Sequence, residues 1–245
     1  MAMDSFEKDR AAFDWIKGAW DDYLNGLPVL LPVLLALTAA SAPALWLLHR
    51  YHSYIPAGAY MLLVLLPLQM GSNLVYINLA RGTKAGFTDM FSAFPVYHRA
   101  MICALWLGCL TAGGVIVFVV PGIILYLTYG FTPYALVDKR SGVKGSFALS
   151  REITDGWRTR LFVIFSLTLA VNIFAPEVIT VGGTLKAPAL EFDFKAWTVV
   201  SSVLKAFVFV PWLDMAMARA YNFLLCPRPI PEPLPDDSPA PYDGD

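Results

Sequence analysis

The chain has 245 residues, of which 57% are hydrophobic and only 15% are charged. Soluble domains carry about 25% charged residues, so this composition excludes an ordinary water-soluble protein. The formal net charge of −1 is uninformative by itself. We expect no nucleic-acid partner. The three cysteines, Cys103, Cys109 and Cys226, cannot form a disulfide framework and lack metal-ligand spacing, so we expect no metal and no cofactor.

Long apolar stretches predict six membrane-spanning helices, because crossing a hydrocarbon core ~30 Å thick takes roughly 20 helical residues. Residues 100–137 would extend ~57 Å as a single helix, so they are predicted to turn. Pro121-Gly122 is the strongest turn signal. Gly113-Gly114 is the alternative, since the first choice leaves a short fourth span. The predicted spans are residues 27–48, 58–79, 100–119, 123–137, 161–181 and 198–218.

Lysine and arginine are distributed unevenly among the segments that connect these spans. With a cytoplasmic N-terminus, fourteen of them fall in cytoplasmic segments, and only Arg50, Lys186 and Lys195 fall in outer ones. Cytoplasmic loops of membrane proteins carry an excess of Lys and Arg, so both termini are predicted to be cytoplasmic. Six acidic residues precede the first span, and we therefore expect an uncleaved anchor rather than a signal peptide.

An aromatic pattern recurs before the first, third and fifth spans. Phe13, Phe87 and Phe147 lie 14, 13 and 14 residues before the first residues of these predicted spans. Internal repeats are common in membrane proteins. This one predicts three units, each a cytoplasmic interfacial helix followed by a two-span hairpin. In the first unit, residues 1–26 are predicted to form a cytoplasmic amphipathic helix ahead of a membrane domain at 27–226. In the third, the helix is predicted at 143–155.

Aromatic and cationic residues at the predicted membrane entries have two interpretations. They can be anchors that fix the depth of the spans, since Trp and Tyr prefer the headgroup level. Alternatively, they can bind anionic lipid headgroups or a partner protein. Ser141 and Gly156 are candidate caps of the third interfacial helix. The candidate contact residues are Trp20, Lys144, Arg151, Trp157, Arg158 and Arg160.

Residues 227–245 have a different composition from the rest of the chain. Every second residue from Pro227 to Pro235 is proline, and four aspartates follow. Alternating proline favours an extended polyproline II conformation. These residues are predicted to form an extended cytoplasmic tail, either a solvated spacer or a docking segment for a partner protein with an aromatic-lined groove.

Polar residues inside spans are costly, so they are the first candidates for function. Gln69, Asn73 and Tyr76 are spaced to share one face of the second span. Lys205 and Asp214 interrupt the last span, nine residues apart and on opposite faces, so each is expected to find a partner elsewhere. Gln69, Asn73, Tyr76 and Asp214 form a candidate intramembrane polar site. They either hydrogen-bond between helices or line a cavity for a solute.

Motifs for catalysis are weak. His49 and His52 lie in a short outer loop without a carboxylate or cysteine at ligand spacing, which is a poor metal signal. The sequence has no recognisable nucleophile triad, paired catalytic carboxylates, phosphate-binding loop or dinucleotide fingerprint. We therefore expect a protein that is not an enzyme and has no catalytic residues.

Several short motifs occur together in the chain. They are Trp20 before the first span, Arg81-Gly followed by Phe87, Pro121-Gly122-Ile-Ile, Pro133, and Ser146-Phe-Ala-Leu-Ser150 followed by Gly156-Trp157. This set resembles a group of bacterial six-span inner-membrane proteins that includes the membrane domain attached to some glycerophosphodiester phosphodiesterases. The resemblance implies a six-span fold in the bacterial cytoplasmic membrane. It implies no catalytic residue, because the soluble phosphodiesterase domain has no counterpart here.

Together these observations predict an all-α bundle of six transmembrane helices in three hairpins, with interfacial helices on the cytoplasmic face. The function expected first is that of a non-enzymatic accessory or scaffold protein, which engages a partner protein or anionic lipid through its cytoplasmic helices and tail. The alternative is a small transporter or lipid-handling protein with a polar site inside the bundle. Dry packing around the polar residues would exclude that alternative.

Overall fold

A computed structural model describes residues 2–139, 142–184 and 187–225. Two of its helical stretches are single-turn π-helices and two are short 3₁₀-helices. In chain order the elements are α1 (Ala2–Tyr51), α2 (Tyr54–Tyr60), a π-helix (Met61–Leu65), α3 (Leu66–Ala80), two 3₁₀-helices (Phe87–Phe91 and Phe94–Val96), α4 (Tyr97–Val117), α5 (Val119–Tyr129), α6 (Thr132–Lys139), α7 (Val143–Thr154), α8 (Arg158–Phe174), β1 (Ile179–Thr184), β2 (Ala187–Phe192), α9 (Ala196–Leu204), a second π-helix (Lys205–Phe209) and α10 (Val210–Leu225).

The helices have the length and composition of membrane spans. Five stretches within the described residues are long and apolar enough to cross a membrane, and α7 with α8 make a sixth if that pair, bent by 105°, counts as one span. This number of apolar helices is typical of a polytopic membrane protein. The five stretches are Ala12–Tyr51, Tyr54–Ala80, Phe87–Ile116, Val119–Lys139 and Ala196–Leu225.

Helix α1 is continuous across residue 26, where the sequence predicted that an interfacial helix would end and a span begin. Fifty residues of helix extend ~75 Å, far beyond the hydrocarbon core. Contacts with the last apolar stretch hold the N-terminal half in line: Trp212 Nε1 donates to the Ile16 carbonyl at 3.0 Å, and Arg219 pairs with Asp22 at 2.6 Å. The two predicted segments therefore belong to one long helix.

The turn between the third and fourth spans lies at Phe118, between the two positions that the sequence favoured. Phe118 is the one extended residue between α4 and α5, with φ −159° and ψ 142°. The two flanking glycines make this tight hairpin feasible: a Cβ built on Gly114 would lie 2.7 Å from Cα of Gly122. Both predicted turn motifs therefore contribute a glycine to the close helix crossing rather than forming the turn.

The helix at the predicted fifth span is shorter than expected. Helix α8 ends at Phe174, and residues 179–181, which the prediction assigned to the span, belong to strand β1. Strands β1 and β2 pair antiparallel from Ile179↔Phe192 to Thr184↔Ala187. The helix stops one residue before the Ala175-Pro176 step, as expected ahead of proline, and the β-branched residues that follow favour a strand. The fold is helical with one small hairpin, rather than entirely α.

The predicted repeat has different structures in its three copies. The first lies within α1, and the second consists of the two 3₁₀-helices. The third is helix α7, within one residue of the predicted range, with Gly142 at its N-cap position and Gly156 in a left-handed conformation (φ 74°) just beyond its end. Ser141 lies outside the described residues.

Candidate functional site

A cavity of about 720 Å³ lies within the helix bundle, between α1, α3, α4, α5, α6 and α10. The four residues of the predicted intramembrane polar site, Gln69, Asn73, Tyr76 and Asp214, all line it. The first three come from α3 and the fourth from α10, in a distant part of the chain. The structure therefore brings these four residues together at one site.

The α3 face of the cavity follows directly from helical periodicity. Gln69, Asn73 and Tyr76 are separated by four and three residues, so their side chains project from one side of the helix. Ser72 joins them at the cavity wall, and its hydroxyl donates to the Gln69 carbonyl at 2.7 Å. Within the described part of the chain, the Gln69 and Asn73 side-chain amides make no hydrogen bond. Their polar groups are thus available to a bound molecule.

Asp214 is the one charged side chain among the described residues that line this cavity. The Asp214 carboxylate has no hydrogen-bond or ion-pair partner in the regions 2–139, 142–184 and 187–225. Lys205, the other charged residue that interrupts the last span, is turned away: its Nζ lies 2.5 Å from Oε1 of Glu177 and 3.4 Å from the Asn172 carbonyl oxygen. Lys205 and Asp214 do not pair with each other, as their spacing along the helix predicted.

Two π-helices lie next to the cavity. One ends at Leu65, immediately before α3, and the other spans Lys205–Phe209, immediately before α10. Single π-turns inside helices occur frequently at functional sites. In this bundle the residues that follow each π-turn, Leu66 and Val210, are the first of their α-helices to line the cavity.

Sequence reasoning missed the other polar residues of the wall. Thr38 and Thr111 donate their hydroxyls to carbonyls one turn earlier in their own helices, each at 2.8 Å. Tyr126 stacks on Phe165 with ring centroids 4.6 Å apart. Thr38, Ser72, Thr111 and Tyr126 all line the cavity. Single hydroxyls in apolar spans are common, and nothing in the sequence indicates which of them face the interior.

The chemistry of the wall favours some solutes over others. Its described residues offer one carboxylate, two amides and several hydroxyl oxygens, together with apolar side chains such as Leu107 and Val210, and no cation. A carboxylate with amide and hydroxyl oxygens attracts a cation or accepts hydrogen bonds from a neutral solute. An anion would meet the charge of Asp214 without a compensating cation.

An ion-pair network joins three of the helices that enclose the cavity. Arg81 makes a two-pronged contact with Asp138, at 2.6 and 2.8 Å, and the Tyr221 hydroxyl donates to the same carboxylate at 3.1 Å. These residues connect the end of α3 with α6 and α10, the helices that carry Asn73, Pro133 and Asp214. Sequence reasoning did not identify Asp138, because its partners lie 57 and 83 residues away along the chain.

The predicted headgroup contacts separate into three groups. Trp20 packs edge-to-face on Trp212, and Trp157 packs against Trp15 and Phe223, so both indoles belong to aromatic clusters that join α1 to the last span. Arg158 pairs with the exposed Asp155 at 3.4 Å, and Arg160 lies in the first turn of α8.

Lys144 and Arg151 form the third group. Both line a second cavity of about 640 Å³ between α4, α5 and α7. Their side chains are exposed, and they form no ion pair with any residue that the structure describes.

The remaining sequence predictions concern metals and the tail. His49 and His52 have ring centroids 6.1 Å apart. The described residues contain no group of three or more His, Cys, Asp or Glu side chains placed to hold a metal ion. Cys226 and the predicted tail at 227–245 lie outside the described residues.

Comparisons with models of known protein families, with characterised proteins and with solved structures find no match. The resemblance to six-span inner-membrane proteins therefore stays a prediction.

Proposed function

We propose that the protein is a small membrane transporter that binds a cationic or neutral polar solute in the cavity lined by Gln69, Asn73, Tyr76 and Asp214. One observation carries the proposal: four polar side chains from two distant parts of the chain converge on a single cavity of about 720 Å³. That volume lies within the range of small-molecule sites, about 300–1,000 Å³.

The position of the cavity along the spans supports transport. Gln69 lies near the middle of the stretch Tyr54–Ala80, and Val210 near the middle of Ala196–Leu225. Substrate and coupling-ion sites of secondary transporters lie near the bilayer midplane. A site at that depth can be reached from either side after small movements of the surrounding helices.

The absence of protein partners for the polar side chains supports ligand binding over structural packing. Interhelical hydrogen bonds are the usual role of Asn and Gln in a membrane bundle, yet Gln69 and Asn73 make none with their side chains among the described residues. Ionisable groups inside spans mark substrate or ion pathways when they face a cavity. Asp214 fits that description, and in this proposal it balances the charge of the solute while the amides orient it.

The orientation of the chain completes the proposal. In this proposal both termini lie on the cytoplasmic side of the membrane, as the Lys and Arg distribution predicts. The resemblance to six-span proteins implies that this membrane is a bacterial inner membrane. The accessory or scaffold function expected first from the sequence depends in part on the tail at 227–245, outside the described residues, and stays a prediction.

Thiol labelling tests whether the cavity is hydrated and negatively charged. Asn73→Cys is made in a chain whose three native cysteines are serine, and labelled with a trimethylammonium methanethiosulfonate and with its sulfonate analogue. The ratio of the cationic to the anionic reaction rate should exceed the ratio for a small free thiol in solution by at least about fivefold, and Asp214→Asn should remove this excess. Leu105→Cys, on an exposed apolar face of α4 that does not line the cavity, is the control. A folded Asn73→Cys protein that reacts with neither reagent contradicts the proposal.

Flux measurements test transport itself. Radiolabelled choline, a small organic cation, and glycerol, a neutral solute, are offered to proteoliposomes. Uptake of either should be lost in Asn73→Leu, and choline uptake should be lost in Asp214→Asn. Asn172→Leu makes the same chemical change as Asn73→Leu on α8, outside the cavity wall, and Asp21→Asn neutralises an exposed aspartate. Both controls should transport normally. Equal loss in the cavity variants and the controls would refute the assignment of the site.

A further inference from the structure

We infer that the second cavity, between α4, α5 and α7, is a binding site for an anionic phospholipid. Its rim carries Lys144 and Arg151, and its wall is the apolar row Ile102, Trp106 and Leu110 of α4. This site is separate from the first cavity, which Asp214 lines, and the inference does not depend on transport.

The two cations lie on one exposed face of α7. Lys144, Ala148 and Arg151 are spaced by four and three residues, and all three are exposed. Lys144 and Arg151 are about 10 Å apart along the helix, with the small side chain of Ala148 between them. Neither forms an ion pair with another described residue, and no carboxylate of the described chain lines the cavity. The rim is therefore complementary to a phosphate group.

Helix α7 has the orientation that a headgroup site requires. It is bent by 105° from α8, so that if α8 crosses the membrane, α7 lies nearly parallel to the surface. Its position is fixed by α5: the Ser150 and Thr154 hydroxyls donate to the Thr128 carbonyl at 2.9 and 3.2 Å. That carbonyl lies near the end of α5, where the interruption between α5 and α6 leaves carbonyls without helical partners.

The apolar wall is suited to an acyl chain. Ile102, Trp106 and Leu110 repeat every four residues, so they form one ridge along α4, and Ile102 and Trp106 are exposed (42% and 59%). Phe147 and Tyr129, with ring centroids 5.3 Å apart, also line the cavity. The ridge lies on Phe87–Ile116, a stretch apolar enough to cross the membrane, so it faces the depth where lipid chains are found. A soluble peptide would not reach it.

Native mass spectrometry of the full chain tests this site. The protein is released from detergent in the presence of phosphatidylglycerol or phosphatidylcholine. Retention should favour phosphatidylglycerol, and Lys144→Gln/Arg151→Gln should weaken its binding by about thirtyfold, the effect expected for two cations near an anionic surface. Ala148→Glu, which places a carboxylate between the two cations, should also weaken phosphatidylglycerol binding, although both cations remain.

Lys17→Gln/Lys84→Gln is the matched control, since both lysines are exposed, predicted to be cytoplasmic and outside this cavity. It removes the same charge and should retain phosphatidylglycerol as the wild-type chain does. Equal retention of the two lipids overturns the inference, as does equal loss in the control. Loss of bound lipid whenever the protein is detected as a dimer also overturns it, because a second copy of the chain would then occupy the second cavity.

Discussion

Lys205 pairs with Glu177 at 2.5 Å. Asp214 is therefore the one charged residue, among those that the structure describes, that lines the cavity of about 720 Å³. The Lys205 side chain is 9% exposed, whereas Glu177, beyond the end of α8, is 52% exposed. The pair thus holds the Lys205 ammonium near the end of α8.

Removal of one partner of this pair should destabilise the protein. Glu177→Gln leaves the buried Lys205 ammonium without its counter-charge, and we expect a loss of about 1–2 kcal/mol, moderated by the partial exposure of Glu177. Thermal unfolding in detergent measures it. Lys205→Met together with Glu177→Gln should recover most of the loss, because no unpaired charge remains. A double variant as unstable as Glu177→Gln alone would show that the pair is not the cause.

Gly71 should be intolerant of any side chain. A Cβ at this position would overlap the carbonyl oxygen of Met90, a backbone atom that cannot move alone. Gly71→Ala should force α3 away from the 3₁₀-helix Phe87–Phe91 and cost about 3 kcal/mol. Gly113→Ala is the control, because no atom lies within 4 Å of its Cβ. The control should be neutral or slightly stabilising. Equal stability of the two variants would contradict the close packing of α3 on residues 87–91.

The Arg81–Asp138 pair should contribute far more to stability than the Arg158–Asp155 pair. Asp138 is 6% exposed, and in Arg81→Met it would lose the closer of its two cations and keep Lys139 at 3.8 Å, at a cost of about 2–3 kcal/mol. Asp155 is 80% exposed, and Arg158→Met should cost less than about 1 kcal/mol. Unfolding of the two variants under the same conditions gives the comparison. Similar losses would mean that the network around Asp138 does not hold α3 and α6 together.

Acid should loosen the junction between the β-hairpin and α9. The Asp193 carboxylate accepts hydrogen bonds from the Lys195 amide and the Thr198 hydroxyl, and the first of these is the main reason that its pKa lies below the usual 3.8. A lowered folded-state pKa means that this stabilisation is present above the unfolded pKa and is lost as pH falls through the folded value. The protection factor of the Lys195 amide, which is its exchange rate relative to the intrinsic rate at the same pH, should fall across that acidic range. In Asp193→Asn this acid-dependent change should disappear; if it persists, another group controls the junction.

Local periodicity was sufficient to identify one wall of the candidate site. The spacing of Gln69, Asn73 and Tyr76 places them on one face of α3. This holds however the helix packs against the rest of the protein. The same argument separated Lys205 from Asp214. It could not show that Asp214 meets the α3 residues, because that depends on how the last span packs against the second.

The positions of several elements followed from contacts rather than from local signals. The residues around Gly26 gave no reason to expect a continuous α1. Its N-terminal half contacts Trp212 and Arg219, which lie 196 and 197 residues away from their partners in sequence. The turn at Phe118 depends on the close approach of Gly114 and Gly122. The β-hairpin lies where the end of a span was predicted. That prediction was wrong because hydropathy alone does not distinguish β-branched strand residues from apolar helix residues.

Composition and helical period alone determined that this chain forms helices apolar enough for a membrane, roughly where those helices lie, and which residues share a helix face. Those properties depend on side-chain transfer from water and on the geometry of a single helix. The tertiary structure decided which faces meet, that Glu177 takes Lys205, and that two cavities form with opposite chemistry, one around Asp214 and one beside Lys144 and Arg151. These features arise between residues far apart in the chain, where only packing brings the charges and apolar surfaces together.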